Sequence, residues 1–128
     1  MTISYPASYL APAKVNLCLN VTRRRSNGYH ELVSVAGFTA FGDTLSLHPV
    51  RLDAGEDAKT DLQITGPFAA DLQNAGGDTL IAAAYSALAM HLPLDRIRFH
   101  LEKHIPLGGG LGGGSADAAA CLRALIEI

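Results

Sequence analysis

The chain has 128 residues, enough for one domain and too few for two ordinary ones. Apolar residues make up 48% and charged residues 17%, which excludes disorder and calls for a sizeable core. Ten Lys and Arg against twelve Asp and Glu give a net charge of −2, so nothing here speaks for a nucleic-acid partner.

No apolar run approaches the roughly 18 residues of a membrane span. The first basic residue is Lys14, so the charged start of a secretory signal is lacking. Cys18 and Cys121 fall in stretches that read as strand and helix, and are expected to be reduced thiols in or near the core. The expectation is a cytoplasmic protein with no membrane partner.

Val15, Leu17, Leu19 and Val21 alternate with Lys14, Asn16, Cys18 and Asn20, which predicts a half-buried strand. Its odd positions should face the core, leaving Lys14, Asn16 and Asn20 together on the other side. Ser26-Asn27-Gly28 signals a turn into a second strand over 31–41, so the pair reads as a hairpin. Gly42-Asp43 predicts another turn, into a strand over 44–50. Residues 51–60 read as a polar loop, and Leu62 and Ile64 as a short strand stopped by Gly66-Pro67.

From Asp78 the period becomes helical. Ile81, Ala84, Tyr85, Leu88 and Leu92 predict a helix capped by Asp78 or Thr79, with Pro93 beyond its end. Ile97, Phe99 and Leu101 alternate with polar residues as another one-faced strand. Ala118, Cys121, Leu122 and Leu125 predict an amphipathic helix from near Ser115. Strands polar on one face imply a mainly antiparallel sheet with helices on the other, an α+β fold. The last helix runs to Ile128 with no stop signal, so residues 1–128 are expected to be one domain truncated at its C-terminal end.

Six of the thirteen glycines fall within residues 108–114, between the strand at 96–101 and the helix from Ser115. Glycines let successive N–H groups point into one concavity, and the helix start adds further N–H groups and partial positive charge. That arrangement suits a phosphate chain. It is not a Walker A loop, because no Lys-Ser or Lys-Thr follows the last glycine. Gly108, Gly110 and Gly113 satisfy G-x-G-x-x-G, but the amphipathic strand before them speaks against a dinucleotide fold.

The run from Pro106-Leu107 through the glycines to Ser115-Ala116-Asp117 resembles the second motif of the GHMP small-molecule kinases, in a triple-glycine form. Ala11-Pro12-Ala13-Lys14-Val15-Asn16-Leu17, Asn27-Gly28-Tyr29-His30-Glu31-Leu32 and Phe41-Gly42-Asp43-Thr44-Leu45 follow that family's order and spacing. The resemblance implies the GHMP kinase N-terminal, ATP-binding domain, of the ribosomal protein S5 domain 2-like type. It implies ATP as co-substrate, Mg²⁺, and an alcohol acceptor. The Gly28-Tyr29-His30 triplet resembles the branch that acts on a small-molecule cytidyl diphosphate in non-mevalonate isoprenoid synthesis. Homoserine or sugar kinases, and a non-catalytic ATP-binding fragment, are the alternatives.

By that resemblance Lys14 is catalytic, acting near the transferred phosphate. Its own setting agrees: an ammonium on a small, polar strand face beside Asn16 can be aimed at a bound anion. The ATP-binding residues implied are Lys103, Pro106, Leu107, Gly108, Gly109, Gly110, Leu111, Gly112, Gly113, Gly114, Ser115 and Ala116. Lys103 ends its strand, where a solvated lysine is an equal reading. Tyr29 would stack on the cytosine, His30 would bond its polar edge, and Asn16 would contact the substrate or orient Lys14. Arg23-Arg24-Arg25 reads as solvated. Asp78-Thr79 departs from the family's pattern on the adenine side, and neither metal ligands nor oligomeric state are assigned.

Overall fold

The computed structural model describes residues 7–50, 61–77, 79–94 and 96–128. Strands β1 (Ala7–Arg24), β2 (His30–Pro49), β3 (Asp61–Thr65) and β4 (Ile97–Glu102) form one sheet in the order β1-β2-β4-β3. The pairs β1–β2 and β2–β4 are antiparallel, and β3 runs parallel to β4. Helices α1 (Ala69–Asn74), α2 (Thr79–Ala89) and α3 (Gly113–Glu127) complete the fold. Leu45, Leu47, Phe99 and Leu101 meet Ile81 of α2 and Cys121, Ala124 and Leu125 of α3 in one fully enclosed core. This is the α+β arrangement the alternation implies.

The strand at β4 and the helix at α2 stand where the periodicities put them, except that α2 ends at Ala89, short of Leu92. The proposed cap Asp78, the Thr79 side chain and the polar loop at 51–60 lie outside the described residues. Helix α1 carries no buried residue, and no apolar period announced it. Among the described residues no helix is long and apolar enough to cross a membrane.

Two expectations about the hairpin are corrected. Gly42-Asp43 is not a turn: β2 runs through it unbroken, with Gly42 paired to Pro12. A Cβ on Gly42 would sit 2.2 Å from the Ala11 carbonyl oxygen, so this glycine serves a close approach of two strands. The second correction concerns the strand's faces. Ala11 and Ala13 are buried, but Val15, Leu17, Leu19 and Val21 are all exposed, and so is Cys18. Beyond Lys14 the β1–β2 ribbon projects past the helices, and no described element covers it.

A register shift between Asn16 and Cys18 also exchanges the faces of β1. Lys14 pairs with Phe38, Asn16 with Ala36, Leu19 with Ser34 and Val21 with Leu32. Lys14 and Asn16 therefore share a face with Leu19 and Val21, not with Asn20. One extra residue inverts the side chains that follow it, here as far as the next shift between Val21 and Arg23. The Ser34 hydroxyl donating to Asn16 Oδ1 at 3.0 Å fits this register.

Candidate active site at the glycine loop

Strand β4 delivers the chain to Lys103, and the buried Ile105 anchors the start of the loop. Gly108, Gly110 and Gly112 take positive φ of 70°, 70° and 68° in alternation with their neighbours. That alternation turns consecutive N–H groups toward one side, which makes an anion-sized nest. Gly113 and Gly114 are needed for a different reason. A Cβ on Gly113 would lie 3.1 Å from Lys103 Nζ, and one on Gly114 would lie 3.0 Å from Leu80 Cδ1. Gly112 caps α3 without a side-chain hydrogen bond, which leaves the helix's first N–H groups for a ligand. The loop lines a cavity of about 250 Å³ whose walls include Leu72, Leu80 and Asp117.

Lys14 meets this loop directly. Its backbone N–H donates to the Leu111 carbonyl at 2.9 Å. Its side chain lines a second cavity, about 290 Å³, with Phe38, Gly112 and Ser115. The fold thus joins the expected catalytic lysine to the expected phosphate loop, from opposite ends of the sequence.

Lys103 is not a solvated lysine. It is 2% exposed, and its ammonium donates to Asp43 Oδ2 at 2.6 Å and Asp117 Oδ2 at 2.8 Å. Asp43 Oδ1 accepts the backbone N–H groups of His104 and Ile105 at 2.5 and 2.7 Å. Asp117 Oδ1 is buried and accepts no hydrogen bond among the described residues. Burial raises the Asp117 carboxyl to about 7, aided by the neighbouring Asp43 charge and opposed by Lys103. The Lys103 pKa is also raised: burial lowers it, but the hydrogen bonds and charges of Asp117 and Asp43 outweigh that. Sequence reading missed both aspartates. A signal existed, since Asp117 shares the helical face of Ala120, Cys121 and Ala124, where a charge needs a partner.

Tyr29 and His30 are not brought to the loop. They sit at the hairpin turn, where Tyr29 is exposed and its N–H bonds Asn27 Oδ1 at 3.1 Å. They lie on the same ribbon as Lys14 and Asn16, but toward its far end. Arg23 and Arg25 both reach Glu31 Oε1, at 3.0 and 3.1 Å, as exposed pairs. Among the described residues no cluster of three or more His, Cys, Asp or Glu could hold a metal ion.

Residues 79–128 match the family described as GHMP kinases N terminal domain. The fold is that of a GHMP kinase N-terminal domain. It is 45% identical over 119 residues to the 4-diphosphocytidyl-2-C-methyl-D-erythritol kinase of Xanthobacter autotrophicus, covering 92% of this chain and 38% of that protein. The kinase of the same name from Agrobacterium fabrum is 45% identical over 125 residues, covering 91% of this chain and 39% of that protein. A crystal structure of 4-(cytidine 5'-diphospho)-2C-methyl-D-erythritol kinase superimposes with a TM-score of 0.69 at 38% identity. It covers 94% of this chain and 40% of that one. The chain therefore spans about two-fifths of the length of the relatives it matches.

Proposed function

We propose that the chain is the N-terminal, ATP-binding part of a kinase that transfers the γ-phosphoryl of ATP to the 2-hydroxyl of 4-diphosphocytidyl-2-C-methyl-D-erythritol, a step of non-mevalonate isoprenoid synthesis. One observation carries the reading: the Lys14 N–H bonded to Leu111 O at 2.9 Å, which sets a lysine beside a glycine nest. The nest and the start of α3 would hold the phosphates through N–H groups from residues 108–116. Lys14 would stabilise charge at the transferred phosphoryl, and phosphoryl transfer depends mainly on such positioning and charge.

Ser115 is the hard-oxygen donor in the cavity with Lys14, and with phosphate oxygens and waters it suits Mg²⁺, which takes few protein ligands. When bound, the ion would neutralise developing phosphate charge. In this reading Tyr29 and His30 hold the cytosine by stacking and edge hydrogen bonds, and the acceptor lies along the ribbon toward Lys14. The register shifts of β1 support such a path, because bulges bend a ribbon. Cys18 and Cys121 form no disulfide among the described residues, as suits a reducing cytoplasm.

The test is turnover of the complete gene product with MgATP and each of three acceptors: the cytidyl diphosphate, homoserine and galactose. ADP release and a product heavier by one phosphoryl group are expected with the cytidyl acceptor alone. Comparable turnover of homoserine or galactose, or none with any acceptor, overturns the reading.

A further inference from the structure

Lys103 is a three-way junction. Its backbone N–H donates to Thr65 O of β3 at 2.7 Å, its carbonyl accepts from Phe68 N–H at 3.3 Å, and its ammonium bridges Asp43 of β2 to Asp117 of α3. Gly66 packs so closely on the Lys103 backbone that a Cβ there would lie 2.7 Å from its oxygen. The glycine loop leaves from this junction and returns to it. Asp43 grips the outgoing end through the His104 and Ile105 N–H groups, and Asp117 grips the returning end in the first turns of α3.

We propose that Asp43 and Asp117, bridged by Lys103, are positioning residues that tie both ends of the glycine loop to β2 and set its N–H groups before a polyphosphate arrives. The inference rests on the loop being the ATP site. A segment so rich in glycine loses more backbone freedom on ordering than any other, so a loop fixed in advance binds more tightly. Charge fits the role as well. Two bare carboxylates beside a phosphate site would repel the ligand. Here one ammonium, two backbone N–H groups and the easily protonated Asp117 leave little net negative charge. Burial of an ion pair is weak evidence of stabilisation by itself, since apolar side chains can serve the fold equally well. What apolar side chains lack is a directional grip on two separate segments.

The complete gene product tests this with Asp117→Asn and with the double variant Lys103→Met/Asp117→Asn, which removes a cation and an anion together. In Asp117→Asn the KM for ATP should rise at least about 10-fold, while the acceptor KM stays within about twofold and kcat within about threefold. The double variant should recover the parent's Tm and keep the raised ATP KM. An ATP KM unchanged in Asp117→Asn, or restored together with Tm in the double variant, overturns the proposal. Amide exchange in the parent without nucleotide covers variants that fail to fold. The His104 and Ile105 N–H groups should exchange as slowly as those of β4, and protection acquired only with ATP also overturns the proposal. A parent that turns over substrate yet gives unchanged variants sinks the clamp alone. A parent that binds no ATP sinks both readings.

Discussion

The hydrogen bond from Lys14 N–H to Leu111 O fixes β1 to the tip of the glycine loop through main-chain atoms alone. Any residue but proline at position 14 leaves it intact. Lys14→Ala in the complete enzyme should therefore lower kcat by about 100-fold or more, with the ATP KM within about twofold. Steady-state kinetics decide it, and an unchanged kcat would remove Lys14 from the chemistry.

Gly42 and Gly37 lie on the same strand, and alanine should treat them oppositely. At Gly42 a new Cβ would collide with the Ala11 carbonyl group and Pro12 Cα, all backbone atoms that cannot turn aside. At Gly37 it would meet nothing within 4 Å. Gly42→Ala should cost more than about 3 kcal/mol and Gly37→Ala less than about 1, as read by urea titration. Equal midpoints would show that the strands can separate there without penalty.

Asp117 makes stability depend on pH. Its folded pKa, about 7, lies above the ordinary aspartate value near 4. Between those values the folded state holds a proton that the unfolded state has released, so stability falls as pH rises from ~4 to ~7 and levels off above. Lys103 adds nothing to this slope: its pKa is raised, so its contribution is complete below the ordinary lysine value and is lost as pH rises from there through the raised one. From pH 5 to pH 8 the parent's Tm should drop by at least about 3 °C relative to Asp117→Asn, which has no carboxyl to titrate at that position. Parallel Tm curves would sink the assignment.

Legibility in the sequence followed what each signal depends on. Ile97, Phe99 and Leu101, and the α2 face with Ile81 and Ala84, were readable because an unbroken period met a full layer of partners. The glycine loop was readable because its chemistry is local in sequence. On β1 the same period-two argument failed. It presumes a regular pleat and a covered face, and the register shift at Leu17 and the bare ribbon break both presumptions. Gly42-Asp43 carried a turn signal because that signal cannot distinguish a bend from a close approach. Asp43 and Asp117, 74 positions apart, meet at Lys103, a pairing that no spacing rule reveals.

Tyr29 offers a substitution that should leave the fold unharmed. The residue is 74% exposed, and its described hydrogen bonds, to Asn27 Oδ1 and from Arg25 N–H, use only its backbone atoms. Tyr29→Ala should leave Tm and the ATP KM unchanged and weaken the cytidyl acceptor by about 1–3 kcal/mol, the value of a lost base stack. Titration calorimetry with each ligand separates the two. Loss of ATP affinity with an unaffected acceptor would reverse the assignment of the hairpin turn.

The ribbon's exposed apolar surface carries the last prediction, about the 128-residue polypeptide by itself. Leu19, Val21, Leu32 and Phe38 stand exposed on one face of the ribbon, and Val15, Val33 and Val35 on the other. A contiguous apolar surface of this kind drives association. The outer edge of β1 is less suited to that, because its irregular register and the charged Lys14, Arg23 and Arg24 hinder strand addition. Contact should therefore form face to face. Val21 and Leu32 pair directly across the ribbon, so Val21→Lys with Leu32→Glu exchanges an apolar pair for an opposite-charge pair at the same two positions. Both side chains are more than half exposed, so folding should change by no more than about 0.5 kcal/mol for each. Light scattering at rising concentration should find the parent polypeptide associated and the double variant markedly less so, with similar Tm. A parent that stays monomeric at ~100 μM, or a variant that associates equally, would show that the ribbon is not the contact surface.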